Sequence, residues 1–195
     1  MAEMSLEQRQ YLTAKFKEFI AAVHSSHESN LPVRTPYQWQ IRLMLYVAEH
    51  GYWPRSIGAP TASGKTSVID IHVFLNAMAG LSLVEGNGLF DLPLRNIPRR
   101  LALTVNRRSL VDDQFDEACA LQDKMQIEHV ANDGLDVYRD GLKLRAAIND
   151  GTKSDSAIPR MIAVELRGSI SPDREWRYYP QTCAVICATP DMFGS

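Results

Sequence analysis

Polar and apolar positions along this chain of 195 residues fall into two regimes. Over the first fifty residues they recur at helical spacing. Leu12, Phe16, Phe19, Ile20 and Val23 form one stripe of an amphipathic helix ending near His24, and Ser5 with Gln8 has the form of a capping box. The polar stretch from Ser25 to Arg34 reads as a connector. Thr35-Pro36 repeats the start signal, with Thr35 as cap and proline at the first helical position. Trp39, Leu43, Tyr46 and Val47 supply the buried stripe of this second helix, and Gly51 is placed to end it.

From there, short apolar runs alternate with longer helical ones. Residues 55–58 (RSIG) are a short strand candidate, followed by a buried helix over 65–79 and a loop or insertion rich in Gly and Pro over 80–98. Residues 100–106 predict a strand, and 109–125 a helix with Leu110, Phe115, Ala118 and Leu121 inward. Residues 161–166 and 183–189 are apolar strands of the kind found in parallel sheets. Between them, 129–159 predicts one helix around Val137 to Ile148, and loops. The alternation argues for an α/β fold: an open, mostly parallel sheet with helices on both faces, formed by residues 35–195 and preceded by a helical extension over 1–34.

Composition narrows the classes. Hydrophobic residues make up 45% and charged residues 23%, ordinary for a water-soluble domain, and no apolar run approaches the roughly 20 residues that cross a bilayer. The polar N-terminus lacks the apolar core of a signal peptide, so a cytoplasmic protein without a membrane partner is expected. A net charge of −2 leaves no general basic field, so a nucleic acid must be met by local clusters: Arg99-Arg100, Arg107-Arg108, Arg167, or Arg174 and Arg177 around Trp176. Cys183 and Cys187 share one face of a strand and read as reduced core thiols, like Cys119.

The chemistry is concentrated in Gly58–Asp70, GAPTASGKTSVID, which follows the strand candidate and opens a helix. Ala59 stands at the first position of the GxxxxGK[ST] pattern, and Gly64-Lys65-Thr66 fit the rest. Backbone N–H groups of Pro60–Thr66 (proline excepted) and the helix N-terminus would surround a β-phosphate, with Lys65 on the β/γ oxygens and the Thr66 hydroxyl on Mg²⁺. ATP with Mg²⁺ is the expected cofactor, and Pro60, Thr61, Ala62, Ser63, Gly64, Lys65 and Thr66 the expected cradle.

APTASGKT resembles the Walker A loop of superfamily 2 helicases, with Ala62 where that family often has glycine. PYQWQIRLM is similar to the region where these helicases place an adenine-reading glutamine, which points to Gln40, with Gln38 as competitor. LALTVNRRSLVDDQFDEA is similar to motif Ia, where a helix N-terminus meets the nucleic-acid backbone; Asn106, Arg107 and Arg108 would make phosphate contacts. LRGS, containing Gly168, resembles the next glycine turn, and ATPDMFGS resembles motif Ib with Thr189, Pro190 and Asp191. The ordered blocks span most of the chain from residue 35. PRR, VNRR with VDD, ELRG and ATPDMFGS together look most like the CRISPR-associated helicase–nuclease of type I systems, subtype U (or G). The resemblance implies a RecA-like P-loop domain, single-stranded DNA as partner, and a CRISPR effector complex as recruiter.

Helicase ATPases also need an apolar strand ending in Asp-Glu. Asp116-Glu117 fails on context, since Asp112, Asp113, Gln114 and Phe115 continue a helix; its acids read as a solvated helix face. Glu165 ends an apolar strand but lacks the Asp. In the family the acidic box follows the ATPDMFGS block, so the expectation is the first part of a motor domain, incomplete before that segment, which binds ATP without efficient hydrolysis. His24-x-x-His27 reads as a helix-end pair with no carboxylates beside it. Two rivals remain: a small P-loop kinase with Glu165 or Asp112 near the metal and Arg174/Arg177 on a lid, and a nucleotide-gated interaction module.

Overall fold

Helix α1 (Leu6–Val23) is closed at its start as the sequence predicts: the Ser5 hydroxyl accepts from the Gln8 N–H at 3.2 Å, and the Gln8 side chain accepts from the Ser5 N–H at 2.9 Å. Its five expected stripe residues are all buried. Phe16 packs on Phe74 (ring centroids 5.1 Å apart) and Phe19 on Tyr138 (4.9 Å), so α1 belongs to the main core. Each buried ring contributes about 2–3 kcal/mol of transfer free energy. The structure, a computed structural model, describes residues 3–25, 34–59, 64–84, 92–128, 133–147, 158–166 and 175–193.

Helix α2 (Gln38–His50) has its cap at Tyr37, two residues beyond the expected cap. Gln40 decides this: its Oε1 reaches back to the Tyr37 N–H at 2.7 Å, satisfying a donor that the helix leaves free, while Thr35 stays exposed. Gly51 ends α2 in the left-handed conformation, φ 75°. The strand expected over 55–58 is absent. Arg55, Ser56, Ile57 and Gly58 are all exposed, and one apolar residue in a window flanked by Pro54 and Pro60 offers no face to bury.

Helix α3 (Val68–Leu81) is preceded by a 3₁₀ turn, Lys65–Ser67, and is buried on every side from Ile69 to Gly80. It crosses α5 (Asp136–Ala147), the helix expected around Val137, at a glycine pair: a methyl group on Gly80 would lie 1.7 Å from the Gly141 carbonyl oxygen. The loop expected over 80–98 is less open than its composition suggests, because Leu92, Leu94 and Ile97 around the turn Pro93–Asn96 are core residues.

Among the described residues the sheet has three strands, β1 (Arg100–Thr104), β2 (Met161–Leu166) and β3 (Cys183–Ala188), in the order β1-β3-β2, with both pairs parallel. One face (Met161, Ala163, Cys183, Val185, Cys187) joins the core under the long helices. The opposite face packs on Trp176 of the short helix α6 (Glu175–Tyr178), on Tyr179 just after it and on Met192 of the turn Pro190–Phe193, so among the described residues the long helices cover one side only. Helix α4 (Arg108–Gln126) buries Val111, Ala118, Leu121 and Met125; Leu110, expected inward, is 43% exposed, because the stripe runs through Val111. Gln122 and Gln126 of α4 shield the outer edge of β2, accepting from the Ala163 N–H at 2.5 Å and the Arg160 N–H at 3.1 Å. Cys183 and Cys187 are free and buried, and burial pushes both thiols up to about 12, as suits core thiols.

Below the entry to β1 lies a buried polar knot. Arg99 donates to the carbonyls of Arg145 (2.7 Å) and Gln181 (2.5 Å), Arg145 to those of Leu94 (3.2 Å) and Ile97 (2.5 Å), and Asn76 to that of Pro98 (3.3 Å). His72 donates to the Arg99 carbonyl at 3.3 Å, and burial lowers its pKa from 6.5 to about 4. Unfolded chains take up this proton below pH 6.5, whereas the folded protein takes it up only near 4, so stability falls as pH drops through that window. This residue is expected to remove about 2 kcal/mol between pH 6.5 and roughly 4.5. Urea unfolding at the two pH values checks it: His72→Gln should lose that part of the pH dependence.

Candidate phosphate and nucleic-acid site

Gly64 adopts φ 69° and ψ 48°, a left-handed conformation that a side chain would strain, and this turns the chain into the 3₁₀ turn that heads α3. Its carbonyl accepts from the Ser67 N–H at 3.1 Å and from the Gln40 side chain at 3.3 Å. The same Gln40 amide nitrogen donates to the Ser67 hydroxyl at 2.8 Å. Gln40 is 3% exposed and its amide is engaged at both ends, so the side chain expected to read adenine is turned onto the loop and fixes it to α2. Gln38, the competitor, is exposed. A Cβ on Gly64 would come within 3.3 Å of the Gln40 amide nitrogen.

Lys65 is exposed and Thr66 half-buried at the head of the turn. The first amides of a helical turn have no intrahelical acceptor, and the helix dipole adds positive potential there. An anion arriving at this end would meet free N–H donors and an exposed ammonium. Pro60, Thr61, Ala62 and Ser63, the expected front of the cradle, lie outside the described residues. The chain enters the loop along the exposed segment 55–58 and not from a strand.

The expected nucleic-acid contacts fall together at one sheet edge. Because β1 and β3 are parallel neighbours with Thr104 opposite Ala188, their C-terminal ends place Asn106, Arg107 and Arg108 beside Thr189, Pro190 and Asp191. The Val105 N–H donates to the Ala188 carbonyl at 3.1 Å and extends this pairing. Asn106, Arg107, Arg108, Pro190 and Asp191 are exposed, and Thr189 is 8% exposed. The Asp191 carboxyl is held below its ordinary range by the Thr189 hydroxyl first, then by its own N–H and the Arg108 charge. Gly168 lies outside the described residues.

No family model, curated protein or solved structure matches the chain.

The other basic clusters serve different ends. Arg99 belongs to the buried knot, and Arg100 and Arg177 stack on Trp176, at 4.8 and 5.4 Å from the ring centre. Arg100 opens β1, so this pair marks the sheet edge opposite to Arg107 and Arg108. Arg167 and Arg174 lie outside the described residues. The Asp116-Glu117 pair sits within α4, as its helical context predicts, and Glu165 is half-buried on β2. Among the described residues no helix is long and apolar enough to cross a membrane.

Sequence reasoning missed one cluster. His24, expected to stand apart from carboxylates, bonds to Asp70 at 3.0 Å, and Glu117, expected on a solvated face, joins them. His27 lies outside the described residues. The available signal was Asp70 itself, the single acid in a mostly apolar helix.

Proposed function

We propose that this chain binds ATP with Mg²⁺ on the Gly64–Lys65–Thr66 turn, as part of a superfamily 2 DNA helicase or translocase motor resembling the CRISPR-associated helicase–nuclease of type I systems. The observation carrying this reading is the exposed Lys65 behind a left-handed Gly64 at the head of a buried helix. Gln40 acts as a positioning residue that holds the turn open to a polyphosphate, Lys65 neutralises the β/γ oxygens, and Thr66 offers its hydroxyl to Mg²⁺. Single-stranded DNA runs over the edge formed by Asn106–Arg108 and Thr189–Asp191, with Arg107 and Arg108 on phosphates. Hydrolysis by these residues alone is slow, because neither β2 nor β3 ends in an Asp-Glu pair that would hold the metal and aim water.

Competition for a fluorescent ATP analogue tests the nucleotide part. ATP is expected to displace it at least about tenfold better than AMP, since the contacts lie on the β/γ-phosphates. Equal displacement would point away from a polyphosphate cradle. On the DNA side, joint replacement of Arg107 and Arg108 by alanine should weaken single-strand binding and flatten the log–log salt slope by about 1.4, the share of two phosphate contacts. An unchanged slope would move the DNA path elsewhere.

A further inference from the structure

A second cluster lies just past the phosphate turn, where the end of α1 meets the first turn of α3 and α4. His24 caps α1, Asp70 lies in the first turn of α3, and Glu117 projects from α4. One ligand atom from each lies within 4.8 Å of the others, beside a cavity of about 260 Å³ floored by Val23, Ala120 and Leu121. The Asp70 side chain is 3% exposed. Among the described residues the only group hydrogen-bonded to its carboxylate is the His24 ring, at 3.0 Å.

Among the described residues no lysine or arginine reaches that acid. Arg34 contacts His24 Nδ1 at 3.0 Å, the ring nitrogen other than the one that meets Asp70. Lys124 also borders the cavity, but its ammonium is bound to the Val23 carbonyl at the end of α1. Two carboxylates and an imidazole therefore converge, and among the described residues no lysine or arginine is bonded to the buried acid. Burying an acid in this way is unfavourable unless a cation completes the arrangement.

We propose that His24, Asp70 and Glu117 form a binding site for one divalent transition-metal ion of the zinc class. One imidazole nitrogen and two carboxylate oxygens suit Zn²⁺ and disfavour Mg²⁺, which prefers an all-oxygen, largely hydrated shell. Ligand atoms around a tetrahedral zinc stand about 3.3–3.5 Å apart. Asp70 and His24 already meet this spacing to within a few tenths of an ångström, and the half-buried Glu117 closes the remainder by rotation of its side chain. With Nε2 on the metal, Nδ1 would carry the ring proton, and the exposed Arg34 would give up its contact there. The cavity leaves room for a water as fourth ligand.

The test uses the full chain after chelator treatment and without nucleotide, so the phosphate-turn reading does not enter. Calorimetric titration with Zn²⁺ is expected to give one ion per chain at micromolar or tighter affinity, with Mg²⁺ far weaker. Co²⁺ should develop the visible absorption of a low-coordinate nitrogen/oxygen site. Glu117→Gln, on a partly exposed helix face that is expected to tolerate it, should weaken Zn²⁺ by about 100-fold and remove the Co²⁺ bands, with His24→Gln doing the same. Unchanged Zn²⁺ affinity in folded Glu117→Gln, or no saturable binding to the parent chain, would overturn the proposal.

Discussion

Gly141→Ala should destabilise the protein by about 3 kcal/mol or more, although helix propensity alone would favour alanine by about 1 kcal/mol. The added Cβ would stand 2.3 Å from the Ala77 carbonyl oxygen, and on Gly80 it would stand 1.7 Å from the Gly141 oxygen. Both obstacles are helix backbone, so no side-chain rotation relieves them; α3 and α5 would have to separate. Separation would loosen Tyr138 from Phe19 and Phe74, whose rings tie α5 and α3 to α1. It would also pull on Arg145 of α5, which holds the Leu94 and Ile97 carbonyls before β1. Gly58→Ala is the control, since among the described residues an added methyl there meets nothing within 4 Å, and its effect should stay within about 0.5 kcal/mol. Equilibrium urea unfolding of both variants reads the difference.

Features written in local periodicity were legible. The α1 stripe, its capping box, the α5 helix and all three observed strands follow from apolar spacing within one element. Misreadings arose where a tertiary contact decides. Residues 55–58 stand before the loop as a short strand candidate, yet Ile57 alone has no face to bury. Helix α2 begins where Gln40 can reach the Tyr37 N–H, an event two residues beyond the visible Thr-Pro signal. The dual use of Gln40, capping its own helix and holding Gly64, depends on where α2 sits against α3. His24, Asp70 and Glu117 come from three separate helices, so no spacing rule joins them. The Gly64-Lys65-Thr66 turn was legible because its left-handed glycine and helix start are consecutive residues.

Lys65→Ala should weaken ATP binding on the order of 100-fold, about 3 kcal/mol, by removing a charge-assisted contact to the β/γ-phosphates. The side chain is exposed at a helix head, so its loss should leave the fold and the urea midpoint almost unchanged. Single-stranded DNA binding through Arg107 and Arg108 should survive as well, which separates loss of the cradle from general damage. A weakening confined to a few fold would mean that the lysine is only a solvated charge near the nucleotide. The direct measurement is a backbone amide spectrum of labelled protein titrated with Mg²⁺ and a slowly hydrolysed ATP analogue. Resonances of Gly64, Lys65 and Thr66 should move most, saturate at one nucleotide per chain, and stay still in Lys65→Ala. Nucleotide binding that shifts amides elsewhere while those three remain in place would contradict the account.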